Sequence, residues 1–298
     1  MKTYFDCISC FYRQAISAAR IANLTEDTQK QILIELSQNM DKFLSGYIPP
    51  EIARMVYDIV HKHATTEDIY KKIKEESNVF ALKLYPELKE RLIEADHSLL
   101  FATQLAIAGN IIDFAAKAHL DVACEIDRIL KKTSDLLWTD GNASIFNFAS
   151  FKTKIYNSKV ILYLADNAGE IVFDKILLET IKHHNSGAKI YFAVKEKPII
   201  NDALAQDAIQ CGIDEIATVI SSGSELSGTI LSYCNKEFLD LFNTADLVIS
   251  KGQGNFEGLS QVTSRDIYFL FIAKCPVIAR MINSNTGNMI LYHKKQYN

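Results

Sequence analysis

The sequence predicts an α/β protein: an all-helical amino-terminal region followed by a three-layer α/β/α domain with a mostly parallel sheet. Up to about residue 135, apolar residues recur three and four apart, which is typical of amphipathic helices. From about residue 154, short apolar runs alternate with stretches of helix length, which indicates βαβ units. The run 160–165 is continuously apolar, as expected of a strand buried on both faces. We therefore expect a boundary between residues 1–152 and residues 153–298.

The composition is that of an ordinary globular protein and excludes several classes of function. The 298 residues carry a net charge of −4 without a cluster of lysine and arginine, so we expect neither nucleic acid nor an anionic membrane as a partner. No apolar run approaches the roughly 18 residues of a membrane span, and Asp6 interrupts any signal peptide. Six scattered cysteines are too few for a disulfide framework, which favours a reducing cytoplasm.

Several helices are predicted in the amino-terminal region, with glycine and proline residues between them. Ser45-Gly46 and Pro49-Pro50 are expected to break the chain, and Tyr85-Pro86 to interrupt a later helix. The predicted helices surround Ile16–Ala22 and Ile32–Phe43, and then cover Glu51–His63, Glu67–Lys83 and Leu88–Ile107.

One segment of this region, 106–116, is chemically unusual because it places Gly109, Asn110 and Asp113 within an apolar helical pattern. Asn110 and Asp113 are three residues apart and would share one face of a helix. In one interpretation, Asn110 caps the helix and Asp113 favours its first turn. In the other, the two polar side chains line a cleft.

The pair Cys7 and Cys10 is the second unusual feature. A thioredoxin-like role requires a preceding strand, for which the six residues before Cys7 leave no room. A zinc site needs about four ligands, and the other cysteines form no second close pair. We expect two buried thiols on one face of the first helix, with Cys275 as the cysteine to look for beside them.

The carboxyl-terminal half contains the predicted sheet. Right-handed crossovers open the loops after its parallel strands on one side, and the informative polar residues fall in these loops. The predicted strands are 159–165, 188–194, 215–220, 246–250 and 267–273, with a possible edge strand at 288–293.

Asp166 and Asn167 follow the first strand directly, where open α/β sheets place their ligands. A carboxylate beside an amide oxygen is hard-oxygen ligation, which suits magnesium, manganese or a similar divalent ion. Gly169 lets the backbone approach a ligand, and the helix that begins near Glu170 offers free N–H groups to an anion.

Two further loops carry polar residues. Asp202, after the second strand, either caps the next helix or completes the metal site. Lys251 ends the fourth strand and is followed by two glycines, so it is a candidate phosphate anchor. Because G-x-x-x-x-G-K-[ST], H-E-x-x-H and G-x-S-x-G are all absent, hydrolase chemistry would have to depend on a metal.

Taken together, these motifs resemble the metal-dependent damage-control phosphatase family, long labelled domain of unknown function 89. The resemblance covers the chain from Cys7 to Pro276 and is closest to the stand-alone prokaryotic branch, which has the amino-terminal Cys-x-x-Cys. It is carried by Asp166-Asn-Ala-Gly-Glu170, Asn201-Asp202, Lys251-Gly-Gln-Gly-Asn-Phe-Glu257 and Gly109-Asn-Ile-Ile-Asp113.

The resemblance implies hydrolysis of phosphate monoesters of small metabolites, either phosphosugars or damaged phosphometabolites, with a divalent ion such as Mn²⁺, Mg²⁺, Co²⁺ or Ni²⁺. It implies that Asp166, Asn167 and Asp202 bind the metal and that Lys251 contacts the phosphate. Asp166, Asp202 and Lys251 would then be catalytic. The remaining motif positions are expected to bind substrate: Glu170, Asn110, Asp113, Asn255 and Glu257.

The sequence leaves the chemical step and two other functions open. Asp166 is either a nucleophile or only a metal ligand, and we favour attack by water that the metal activates. A non-catalytic binder of an anionic metabolite would carry the same residues. A carboxyl methyltransferase that uses S-adenosylmethionine is a third alternative, although the glycine-rich turn usual for that cofactor is missing after the first strand.

Overall fold

The computed structural model describes residues 1–111 and 145–295. Within them, one sheet has the strand order β3-β2-β1-β4-β5-β6. The first five strands are parallel and β6 pairs antiparallel with β5 at the edge, so the predicted mostly parallel sheet is confirmed. The strands are β1 Val160–Leu164, β2 Lys189–Val194, β3 Thr218–Ser221, β4 Leu247–Lys251, β5 Ile267–Ile272 and β6 Met289–Lys294.

Helices precede the sheet and lie between its strands. The predicted boundary at residues 152 and 153 falls inside α7 and stays a prediction. In the amino-terminal part the helices are α1 Phe5–Ile21, α2 Glu26–Gln38, α3 Met40–Leu44, α4 Pro49–His61, α5 Lys71–Glu94 and α6 Ser98–Ala108, followed by a 3₁₀ turn, Gly109–Ile111. The others are α7 Phe148–Asn157, α8 Glu170–His184, α9 Ala205–Gln210, α10 Lys236–Thr244, α11 Gly252–Leu259 and α12 Pro276–Met281, with a 3₁₀ turn at Leu231–Tyr233.

Proline positions account for two wrong predictions. Pro86 lies inside α5, which runs unbroken to Glu94, and the break comes instead at residues 95–97. Ala81 and Leu88, on either side of Pro86, are buried in the same hydrophobic core, so packing overrides the local cost of the proline. Pro49 and Pro50 begin α4 rather than break the chain, because the first turn of a helix needs no N–H from them.

The third strand was also predicted too early, at 215–220. Residues before Thr218 form a turn in which Ala217 N–H donates to the Ile213 carbonyl at 2.9 Å. That turn uses backbone groups that the predicted strand would have needed for its ladder, so β3 begins only at Thr218.

One hydrophobic core joins the helical region to the sheet. It contains Leu88 and Leu105 from α5 and α6 together with Tyr163 and Ile249 from the central strands. A smaller core holds α1, α2 and α4 together and includes Ile199 from the loop after β2. The first core therefore packs α5 and α6 against the sheet, and the second packs α1, α2 and α4 against the loop after β2.

The strand order places a topological switch between β1 and β4. β1 pairs with β2 on one side and with β4 on the other, and Leu164 is the register partner of Ser250. The crossovers diverge at this point, so the loops after β1 and β4 border one crevice.

None of the helices within residues 1–111 and 145–295 combines the length and the apolar character that a membrane span requires.

A substitution at Gly109, which follows α6, tests how closely the end of α6 packs against α8. A Cβ at this position would lie 2.8 Å from Cβ and Cγ of Phe173, and that buried ring has no open space to move into. We expect Gly109→Ala to lower the free energy of unfolding by about 1–3 kcal/mol, measured by urea denaturation. Gly187→Ala is the matched control, because the nearest atom to a Cβ there is 3.9 Å away. Equal stability of the two variants would contradict this packing.

Candidate active site at the carboxyl ends of the strands

The loops after β1 and β2 run side by side and bring the predicted metal ligands together. Ala203 N–H donates to the Asp166 carbonyl at 2.8 Å, and Ala168 N–H donates to the Asn201 carbonyl at 2.9 Å. These bonds form a short antiparallel bridge between Asn167 and Asp202. The side chains of Asp166, Asn167 and Asp202 are all buried. The segments that contain Asp166 and Asp202, residues 36 positions apart in sequence, therefore form one short antiparallel ladder.

Two amides and two carboxylates form a compact cluster above β1. The Asn110 amide nitrogen donates to Asp166 Oδ2 at 3.1 Å and to Glu170 Oε2 at 2.7 Å. The Asn167 amide nitrogen donates to the same two oxygens, at 2.8 Å and 3.1 Å. Asn110 therefore belongs to the carboxylate cluster, and the prediction that Asn110 and Asp113 line a cleft stays a prediction. Asp113 lies outside the described residues.

Lys251 lies beneath this cluster and is completely buried. Its ammonium group donates to Glu170 Oε1 at 2.6 Å, to Asp174 Oδ1 at 2.5 Å and to the Ala106 carbonyl at 2.8 Å. These three bonds use all three protons of the ammonium group. In this arrangement Lys251 holds two acids of α8 in place, and the predicted contact with phosphate would require one of these bonds to break.

Asp174, which pairs with Lys251, was missed at the level of the sequence. It lies one turn after Glu170 on α8 and accepts a hydrogen bond from the Tyr163 hydroxyl at 2.7 Å. The available signal in the sequence was an acidic residue within the predominantly apolar stretch 171–178.

Lys195 is the second residue that the sequence analysis missed. It follows β2 directly, is buried, and places its Nζ 3.7 Å from Asp202 Oδ2 and 3.5 Å from Asn255 Oδ1. Asn255 Oδ1 also accepts a hydrogen bond from the Thr229 hydroxyl at 2.8 Å. Lys195 therefore adds a positive charge beside the predicted metal ligands, with weaker bonds than those of Lys251. Its position at the carboxyl end of a parallel strand was the signal that could have found it.

Asn255 ties α11 to the central strands. Its amide nitrogen donates to the Ala165 carbonyl at 3.0 Å and to the Lys251 carbonyl at 2.8 Å. Asn255 thus fixes the ends of β1 and β4 relative to each other, and its oxygen faces Lys195 and Thr229. The predicted role in substrate binding stays a prediction.

Glu257, on the same helix, has its described contacts elsewhere. Its carboxylate accepts a hydrogen bond from the Gln253 amide at 2.9 Å, and its carbonyl accepts one from the amino terminus. Gln253 also donates to Cys275 Sγ at 3.7 Å. Burial raises the pKa of the Glu257 carboxyl to about 7. A role for Glu257 in substrate binding stays a prediction as well.

The two cysteines of the amino-terminal motif lie on α1, as predicted, but Cys10 is exposed rather than buried. Partial burial raises the pKa of both thiols, and the Glu257 carboxylate and Cys275 raise it further. A raised pKa keeps a thiol protonated and unreactive at neutral pH. A position of Cys275 beside the pair stays a prediction.

Gly252 allows the first turn of α11 to touch Asp166. Its φ of +76° is in the left-handed region, and a Cβ there would lie 2.0 Å from Asp166 Oδ2. Any other residue would push this carboxylate out of place. Gly169, with a φ of +77°, is also left-handed and directly precedes α8.

Charges of both signs surround the buried carboxyl group of Asp166. Burial raises the pKa of this carboxyl well above its ordinary value, and the neighbouring Glu170 carboxylate raises it further. Burial would lower the pKa of Lys251, but Asp174 and Glu170 outweigh it and raise the pKa. Lys274, Lys195 and Lys251 lower the pKa of Asp166 without outweighing burial, and a bound divalent cation would further stabilise the buried Asp166 carboxylate.

The donor set fits such a cation. Asp166, Asn167 and Asp202 supply carboxylate and amide oxygens, which hard divalent ions prefer. The buried Asn110 Oδ1 accepts no hydrogen bond from the described residues, so an oxygen beside the cluster is available to a ligand. Within residues 1–111 and 145–295, no three His, Cys, Asp or Glu side chains could hold a metal by themselves, so the amides are essential to the fit.

Comparison with known proteins settles the family. A family model described as the damage-control phosphatase ARMT1-like domain matches residues 3–290. The chain belongs to this family. The predicted family is thereby confirmed, and with it the enzyme class of the phosphatases. The placement in the branch with the Cys-x-x-Cys motif stays a prediction.

Similar proteins match over nearly their whole length. A damage-control phosphatase of Pyrococcus horikoshii is 33% identical over 99% of both chains. An uncharacterized protein of Methanocaldococcus jannaschii is 36% identical over 96% of this chain and 93% of its own. The crystal structure of a DUF89 family protein from P. horikoshii superposes with a TM-score of 0.82 at 29% identity, covering 99% of this chain and 100% of that one.

Lys251 provides a test of this buried ion-pair cluster. Replacing it with methionine leaves the Glu170 and Asp174 carboxylates buried without a cation, so we expect Lys251→Met to lower the free energy of unfolding by about 3–5 kcal/mol. Lys72→Met is the control, because Lys72 is exposed and lies 3.8 Å from Glu76 on the helix surface. Chemical denaturation of both variants measures the difference. A loss of stability no larger than that of the control would show that the ion pairs are not formed in solution.

Proposed function

We propose that the protein hydrolyses phosphate monoesters of small metabolites, phosphosugars or damaged phosphometabolites, with the help of a divalent cation. The single observation that supports this best is the short ladder between the loops after β1 and β2, which brings Asp166, Asn167 and Asp202 together beside Lys195. Oxygen ligands for a cation and a lysine for an anion then border the same crevice at the switch point of the sheet.

In this proposal, Asp166, Asn167 and Asp202 hold the cation, which is Mn²⁺, Mg²⁺, Co²⁺ or Ni²⁺. A bound cation of this kind offsets charge on phosphate oxygens and acts as a Lewis acid. Asn110 and Glu170 orient the Asp166 carboxylate through the shared hydrogen bonds of the cluster. Lys251 keeps Glu170 in place from below. These side chains are positioned before substrate arrives, which reduces the reorganisation that charge stabilisation requires.

The phosphate dianion needs positive charge on the protein side, and Lys195 is suited to supply it. Within residues 1–111 and 145–295 its ammonium group has long contacts, at 3.5 Å and 3.7 Å, for which a phosphate oxygen can compete. Lys251, in contrast, would have to give up a hydrogen bond of 2.8 Å or less. We therefore assign the phosphate contact to Lys195 and a positioning role to Lys251.

Asp166 tests the metal site and the reaction class together. We expect Asp166→Ala to reduce phosphate release by more than about 100-fold, because losses of that size already follow when only the outer contacts of a metal are removed. The assay measures phosphate release from phosphosugars and phosphorylated cofactor fragments, with each of the four cations supplied separately and with a chelator as a blank.

Asp240→Ala is the matched control, since Asp240 is an exposed acid on α10. Near wild-type turnover by Asp166→Ala would remove Asp166 from the site. If the wild-type protein releases no phosphate but is stabilised thermally by a metal and an anionic metabolite, it is a binder rather than an enzyme. Stabilisation by S-adenosylmethionine alone would favour the methyltransferase alternative.

Lys195 provides a separate test of how phosphate is bound. Removing a charged donor that contacts phosphate should lower kcat/KM by about 100-fold, so we expect that effect for Lys195→Met. Lys197→Met is the control two positions later, where the lysine is exposed and pairs with Glu225. Steady-state kinetics with the best substrate of the screen measures both. An unchanged kcat/KM for Lys195→Met would return the phosphate contact to Lys251.

A further inference from the structure

We propose that Asn78, on helix α5 of the amino-terminal region, is a positioning residue that locks the two metal-binding loops to each other. This inference rests on the proposed function, because it assigns a role to Asn78 through the ligands Asp166, Asn167 and Asp202. Asn78 is completely buried and was not singled out by any sequence motif. It lies 91 positions from one loop contact and 129 from the other.

The first contact fixes the loop after β1. Asn78 Oδ1 accepts a hydrogen bond from Gly169 N–H at 2.7 Å. Gly169 comes two residues after Asn167 and one before Glu170, and its positive φ turns the chain into α8. The orientation of this peptide therefore determines where Glu170 begins the helix and how it meets Asp166.

The second contact fixes the loop after β2. The Asn78 amide nitrogen donates to Asp207 Oδ1 at 2.9 Å and to Gln210 Oε1 at 3.2 Å. The other carboxylate oxygen, Asp207 Oδ2, accepts from Leu204 N–H at 2.9 Å and so caps α9. Leu204 is two residues after Asp202, so this cap determines the path of the chain just beyond a metal ligand.

A buried cation supports Asp207 from the other side. Lys74 lies on the same helix as Asn78, and its Nζ is 2.7 Å from Asp68 Oδ2 and 3.7 Å from Asp207 Oδ2. Charge on Asp207 is thus balanced within the helical region. Helix α5 therefore presents the Asn78 amide and the Lys74 ammonium group to this region. Of these two side chains, Asn78 is the one that contacts both loops.

The geometry suggests an exchange of amide and carboxylate as the decisive experiment. Asn78→Asp keeps an acceptor for Gly169 N–H but places a carboxylate oxygen against Asp207 Oδ1, where the two repel. Combining it with Asp207→Asn restores the hydrogen bond between positions 78 and 207 with the same net charge as the wild type, and the Gln210 amide turns over to donate instead of accept. Outer contacts of a metal site typically change metal affinity by about 10–100-fold.

We measure the Kd for Mn²⁺ of the full-length chain by isothermal titration calorimetry. We expect Asn78→Asp to weaken Mn²⁺ binding at least about 10-fold and the double variant to return to within about threefold of the wild type. Tyr85→Phe is the matched control, because it removes a hydrogen bond between α5 and Glu179 of α8 at 2.5 Å that does not touch either loop. This control should bind Mn²⁺ with wild-type affinity.

Hydrogen exchange of metal-free protein provides a readout that is independent of the ion. Peptides that cover 166–172 and 203–210 should exchange faster in Asn78→Asp and recover in the double variant. Wild-type Mn²⁺ affinity and exchange in Asn78→Asp would overturn the role of Asn78, as would a double variant that fails to recover or to fold. A wild-type protein that binds none of Mn²⁺, Mg²⁺, Co²⁺ and Ni²⁺ would overturn the proposed function, while the exchange data would still decide the role of Asn78.

Discussion

The burial of several acids at the end of the central strands is the constraint on which the rest of the site depends. Asp166, Glu170, Asp174 and Asp202 are all buried. Carboxylates removed from water are stable only when cations and hydrogen-bond donors surround them. Lys251 supplies that charge from below, through two bonds of 2.6 Å and 2.5 Å. The charge above the cluster is only partly offset, which is the physical reason to expect a metal ion there.

The helical region completes the site rather than merely covering the sheet. The 3₁₀ turn after α6 supplies the Asn110 amide, and α6 supplies the Ala106 carbonyl that holds Lys251. Helix α5 supplies Asn78, which reaches the loops after β1 and β2. Shared hydrophobic packing keeps these polar contacts at their distances, because α5, α6 and α8 belong to the same core as the central strands. The two predicted regions therefore act as one unit at the crevice.

Close backbone approach is the other requirement of the crevice. Gly252 places the start of α11 against the Asp166 carboxylate. Farther along this helix, a Cβ at Gly254 would lie 2.3 Å from the Ser227 carbonyl, and one at Gly258 would lie 2.1 Å from the Thr229 carbonyl. The loop after β3 therefore lies directly on α11, which brings Thr229 to Asn255. Glycines that the sequence suggested as contacts for a phosphate also serve to pack two segments of the chain.

The sequence by itself determined the fold class and the strands that carry the site, because apolar periodicity and residues at strand ends are local signals. The family followed from the resemblance of its motifs to a known set. The sequence also predicted that the loops with Asp166, Asn167 and Asp202 meet, since parallel strands with right-handed crossovers place their loops on one side. Only the tertiary structure decided which lysine is held by short bonds to acids and which has longer contacts. Lys251 ends β4 and contacts α6 and α8, while Lys195 follows β2 and contacts Asp202 and α11. The unbroken helix through Pro86 and the role of Asn78 were likewise hidden, because each depends on contacts between segments distant in sequence.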